Sequence, residues 1–141
     1  MNAGLTIKVV DRDSDYLGIE IRAANDRFSG TTRIYAGLDE LSGFANLIAG
    51  FPANTHDERE YEFGRRGQSF AGGFCRLHFR CLDNIGHAAI AVDLEDDFLR
   101  CPPGSARFSF KIEPAALDSF VIGLREAEHT RFGEAILPLA F

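Results

Sequence analysis

The chain has 141 residues, 45% of them apolar and 26% charged, which suits one domain with a core of its own. Fifteen Lys and Arg against 21 Asp and Glu give a net charge of −6, which argues against general affinity for nucleic acid or anionic membrane. No apolar run approaches the ~20 residues that span a bilayer, and no basic segment leads into an apolar core at the N-terminus, so a cytoplasmic location is expected.

In chain order, Leu5, Ile7 and Val9 alternate with polar positions, and Asp11-Arg12-Asp13-Ser14-Asp15 then turns the chain. Leu17, Ile19, Ile21 and Ala23 alternate again, so residues 5–10 and 16–23 are predicted as a hairpin. Residues 27–36 read as a third strand, interrupted at Gly30. A helix is predicted from about Asp39 to Ala49, with Leu38, Leu41, Phe44, Ala45 and Ile48 on one face and Gly50 and Pro52 ending it.

Glu58 to Phe63 is expected as a short edge strand, followed by a loop over 65–73. The clearest signal lies between Phe74 and Leu94. Cys75, Leu77, Phe79 and Cys81 alternate with Arg76, His78 and Arg80; after Asp83-Asn84-Ile85-Gly86, Ala88, Ile90, Val92 and Leu94 alternate in turn. Two alternating runs around a turn predict an antiparallel hairpin with one buried and one wet face. Joining Leu82 to His87 places Arg80 opposite Ala89, His78 opposite Ala91 and Arg76 opposite Asp93, the last as an exposed ion pair worth about 0.2–1 kcal/mol.

An acidic, Pro-containing connection over Asp93–Gly104 leads to a strand with Ala106, Phe108, Phe110 and Ile112 inward and Arg107, Ser109 and Lys111 outward. Pro114 at the first helical position opens a second helix with the stripe Leu117, Phe120, Val121 and Leu124. The tail from Thr130 is apolar enough to dock as a last strand. The two helices share a Leu-x-x-Phe-x-x-x-(Ile/Leu) spacing, through an old duplication or through the same packing demand. The fold class is therefore α+β: an antiparallel sheet of six or seven strands, two helices on one face, order βββα-βββα.

Three cysteines lack C-x-x-C spacing. Cys75 and Cys81, six residues apart in one strand, would stand about 20 Å apart and cannot bridge. They read as small buried hydrophobes in a reducing compartment. Cys75, His78, Cys81, His87 and Cys101 carry the atoms zinc needs, but strand alternation turns His78 away from Cys75 and Cys81, so no metal site is assigned. The Asp11, Asp13, Asp15 run lacks the Gly and Glu of a calcium loop, Tyr16 and Arg22 standing there instead, and reads as a hairpin turn. No nucleophile has a base beside it among the motifs, His56, His78, His87 and His129 included, so no catalytic residue or cofactor is assigned.

The strongest candidate site is the outer sheet face. Arg76, His78 and Arg80 share it with Arg107 and Lys111 if 105–112 pairs with 87–94. The plain reading is a solvated face; the functional one is a surface for an anion or an acidic partner. Acidic residues group at Asp11–Asp15, Asp57–Glu62 and Asp93–Asp97, as solvated loops or as a face for a cationic partner.

The order of a Leu-x-x-Phe helix, a hairpin ending in Asn84-x-Gly86-His87, an acidic loop and a Phe-rich strand entering Glu-Pro-x-x-Leu-x-x-Phe covers Leu38 to Glu126. It resembles small bacterial α+β proteins of unknown function, some encoded near toxin systems as immunity-type proteins. The resemblance implies a non-catalytic protein that binds a protein partner, and it carries over no functional residue. The alternatives are a sensor or carrier of small anions using the basic face, and an enzyme of unrecognised type. An unpaired strand edge also leaves a homodimer open.

Overall fold

The computed structural model describes residues 3–66, 72–97, 102–130 and 132–140. Among them the elements run β1 (Gly4–Arg12), β2 (Tyr16–Ala24), β3 (Ser29–Gly37), α1 (Glu40–Ile48), β4 (Glu58–Gly64), β5 (Phe74–Cys81), β6 (Ala88–Glu95), β7 (Ser105–Ile112), α2 (Ala116–Glu128) and β8 (Glu134–Pro138). The class is α+β with antiparallel pairing. The single sheet of six or seven strands in βββα-βββα order is corrected: the strands form two four-stranded sheets, β3-β2-β1-β8 (sheet I) and β4-β5-β6-β7 (sheet II).

The topology is βββαβ twice over. The last strand of each unit joins the sheet of the other, β4 beside β5 and β8 beside β1. Alternation reports that each strand buries one face, but not which strands share a ladder; that choice is made by long-range pairing. The helices pack on each other, α1 also against β3 and β4, α2 also against β1 and β8. They bury Leu41, Phe44, Ala45 and Ile48, and Leu117, Phe120, Val121 and Leu124, in one continuous core with both sheets, rather than on one face of one sheet. Leu38, placed on the first helix's apolar face by its spacing, precedes the helix and is 41% exposed.

The hairpin register of β5 and β6 is the expected one, with Arg80 opposite Ala89, His78 opposite Ala91 and Arg76 opposite Asp93. In its turn, Asp83 accepts the backbone N–H groups of Ile85 and His87, which with the His87 ring hold its carboxyl below the usual range. Asp13 does the same for the N–H groups of Asp15 and Tyr16, which confirms a turn at that aspartate run.

Gly30 does not interrupt β3. It lies where β3 crosses the ends of the sheet II strands, and a Cβ there would stand 3.0 Å from Leu94 and 3.2 Å from Ala106. At the same junction the Thr32 hydroxyl donates to the Glu95 carbonyl at 2.7 Å and the Gly73 N–H to the Arg33 carbonyl at 2.7 Å. A Cβ on Gly73 would fall 1.8 Å from Thr32 Oγ1 and 2.5 Å from the Glu95 carbonyl oxygen. Gly73→Ala is therefore expected to destabilise the protein by about 1–3 kcal/mol, read as a lower urea midpoint, because backbone must move to admit one methyl.

A second tie sets β4 against α1. Arg59 Nη1 donates to the Leu47 and Ala49 carbonyls at 3.0 and 2.7 Å, which satisfies acceptors at the C-terminal end of α1. Asp57 holds that guanidinium at 2.8 Å and accepts the Ala53 N–H at 2.7 Å; the Arg59 bond first, then the backbone bond, lower its pKa. No helix among the described residues is long and apolar enough to cross a membrane.

Candidate functional site

Burial of Cys75, Leu77 and Phe79 turns Arg76, His78 and Arg80 outward on β5. Burial of Phe108, Phe110 and Ile112 does the same for Arg107, Ser109 and Lys111 on β7. Between them β6 contributes Ala89, Ala91 and Asp93. The ladders align three rows across sheet II: Arg80–Ala89–Lys111, His78–Ala91–Ser109 and Arg76–Asp93–Arg107. The five expected binding residues thus share one face.

What alternation on β5 and β7 left out is the strand on the other side of β5. Glu58, Glu60 and Glu62 of β4 stand opposite Arg80, His78 and Arg76. The contacts run diagonally, with His78 Nε2 3.5 Å from Glu58 and Arg76 Nε bonded to Glu60. The expected Arg76–Asp93 ion pair does not form, although the two are opposite. Asp93 is taken instead by Arg66 at 2.6 Å and Arg107 at 3.1 Å. Arg66 comes from the loop after β4, lies over the Phe74 ring at 4.2 Å and also contacts Glu95. The Glu-x-Glu-x-Glu spacing at 58–62 was readable as an acidic stripe; nothing local pointed to Arg66.

The face is therefore striped rather than uniformly cationic. Arg66, Arg76, Arg80, Arg107 and Lys111 are matched by Glu58, Glu60, Glu62, Asp93 and Glu95. Arg80 and Lys111, flanking Ala89, have no ion-pair partner among the described residues. Above Ala91 lies a hollow of about 120 Å³ lined by Arg76, His78, Ala91, Val92, Asp93 and Arg107. Arg76 spends its Nε on Glu60, and Arg107 one Nη on Asp93, so each keeps further N–H donors of its five for whatever enters.

The other candidates disperse. Cys75 is buried, and burial first, then Asp93, pushes its thiol pKa well up, away from nucleophilic use. Cys81 lies 3.6 Å from the Asn54 carbonyl, on the face opposite His78. Cys101 lies outside the described residues. His87 bonds Asp83 within its own turn, and the His56 backbone N–H donates to Asn54 Oδ1. Among the described residues no three His, Cys, Asp or Glu side chains gather as a metal site would require.

One constellation escaped sequence reasoning. Glu128 at the end of α2 accepts the Ser42 backbone N–H at 3.1 Å and bonds the Ser42 hydroxyl, while His129 Nε2 lies 3.9 Å from the same carboxylate. Both Ser42 bonds go to the carboxylate, and the arrangement is a cap for α1. Comparison of the chain with protein-family models, with curated proteins and with solved structures finds no match.

Proposed function

We propose that the chain is a non-catalytic binding protein that meets a protein partner through the outer face of sheet II, in the manner of the immunity-type proteins that Leu38–Glu126 resembles. The hollow above Ala91 carries this reading. Arg76, His78 and Arg107 are each steadied at one point by a carboxylate and converge on a floor that a larger residue would fill. Donors fixed in advance lose little rotamer entropy on binding. At about 120 Å³ the hollow suits a small polar group such as a carboxylate rather than a drug-sized ligand.

Tagged wild-type protein and Arg76→Ala/Arg107→Ala are compared in parallel capture from the host's extract, with the bound protein identified. A single partner at least ten-fold depleted on the variant is expected, while stability changes by less than about 1 kcal/mol because the Arg76–Glu60 pair is exposed and Asp93 keeps Arg66. Equal retention by both proteins sinks the assignment.

A second reading, a small-anion carrier, draws on Arg80 and Lys111 flanking Ala89 without ion-pair partners among the described residues. Inorganic phosphate and small dicarboxylates separate the two. A saturable rise in Tm lost in Arg80→Ala/Lys111→Ala favours the carrier, and no shift at any concentration removes it.

A further inference from the structure

Sheet II treats its two lateral edges differently. Along β7 the Ser109 carbonyl accepts the Asn25 side-chain amide at 3.1 Å, and the Lys111 carbonyl accepts the Ala140 N–H at 2.8 Å. Those bonds occupy the Ser109–Lys111 part of that edge, and Arg107 and Lys111 make its outer side chains cationic. β4, the opposite edge, pairs with β5 without a bulge from Glu58 to Gly64, and no backbone bond reaches its other side among the described residues. Every second N–H and C=O along it therefore points away from the sheet.

The strand is held rigidly from within. Arg59 is clamped to α1, the Tyr61 hydroxyl bonds Glu40 at 3.0 Å, and Phe63 is buried. Its outer side chains are Glu58, Glu60 and Glu62, and the charge of the face changes sign from strand to strand, acidic β4 against basic β5. A strand laid outside β4 would meet those glutamates directly. A second copy of β4 cannot be that strand. Paired residues in an antiparallel ladder share a face, so each register of β4 on itself opposes glutamate with glutamate.

We propose that the free edge of β4 is a strand-addition site for an extended partner segment carrying Lys or Arg at alternate positions. Main-chain bonds supply the adhesion, and the three glutamates select sign and register. The outward main chain of β4 is a different surface from the hollow above Ala91, although Glu58 and Glu60 also reach His78 and Arg76 there, so exchange at β4 tests this edge without testing that reading.

The probe is a nine-residue peptide alternating lysine with valine, added to the full chain and followed by amide hydrogen exchange. Amides within Glu58–Gly64 are expected to exchange at least ten-fold more slowly, with β7 unchanged. Two versions of the peptide, N-methylated on the lysines or on the valines, leave the protein untouched. One of them should lose the protection and the other keep it, since only one set of N–H groups can face β4. A glutamate–valine peptide should protect only Glu58→Lys/Glu60→Lys/Glu62→Lys, and Arg107→Ala should leave the effect of the lysine peptide intact. No slowing in β4, or slowing that survives both methylated peptides, overturns the proposal.

Discussion

Phe44→Ala is expected to cost about 3–5 kcal/mol, the largest single loss available in the core. Phe44 is fully buried in the middle of α1, and its ring meets Tyr61 at 5.0 Å, Phe63 at 5.1 Å, Phe120 at 6.2 Å and Phe79 at 6.3 Å between centroids. One side chain thus joins α1 to α2, β4 and β5. Its neighbours are held by their own strands and helix and cannot all close on the space left behind, so a cavity term adds to the lost transfer energy. The tilted and edge-on ring pairs add about 0.5–1.5 kcal/mol each. At roughly 3–5 °C per kcal/mol for a chain of this size, Tm should fall by more than about 10 °C. Phe44→Leu retains most of the volume and should lose less than half as much. Urea unfolding of the two variants, with unchanged slope, measures both; a loss below about 1 kcal/mol for alanine would show that the aromatic cluster does not hold the layers together.

Glu128→Ala is expected to cost about 2–4 kcal/mol. The carboxylate is 5% exposed and accepts two bonds from Ser42, one of them from a backbone N–H that α1 itself leaves unpaired at its first turn. A negative group beside that positive helix end is favourable, whereas at the C-terminus of its own helix it is mildly unfavourable. Truncation leaves the half-buried N–H and hydroxyl of Ser42 without their carboxylate acceptor, the costly side of hydrogen-bond energetics. Glu128→Gln keeps one acceptor oxygen and should lose less than half as much. Ser42→Ala with Glu128→Gln in a double-mutant cycle should give a coupling of about 0.5–3 kcal/mol, because the two groups touch. Additive losses would mean that Glu128 acts through something other than Ser42. Faster amide exchange confined to the first turn of α1 is the accompanying structural signature.

Local information went far in this chain. The alternation from Cys75 to Leu94, with four residues that suit a tight turn, was sufficient for strand identity, inward face and register, since all three follow from a period of two and a short closure. The same logic placed Arg76, His78, Arg80, Arg107 and Lys111 on one face. The stripes of α1 and α2 were legible from spacing for the same reason, as was the turn at Asp13. Gly30 was misread because a missing side chain looks identical in sequence whether a strand is breaking or another strand is passing close by.

Residue order and periodicity determined by themselves the α+β class, the wet and dry sides of the strands, and the gathering of five basic and imidazole side chains on one of them. Tertiary structure alone decided that the strands divide into two sheets, that Arg66 rather than Arg76 pairs with Asp93, that Glu128 caps a helix 86 residues away, and that β7 is partly covered while β4 has no backbone bond on its outer side among the described residues. The physical reason is range. Steric alternation acts between neighbours, whereas ladder choice, edge closure and charge pairing depend on which distant segments a shared core brings within a few ångströms.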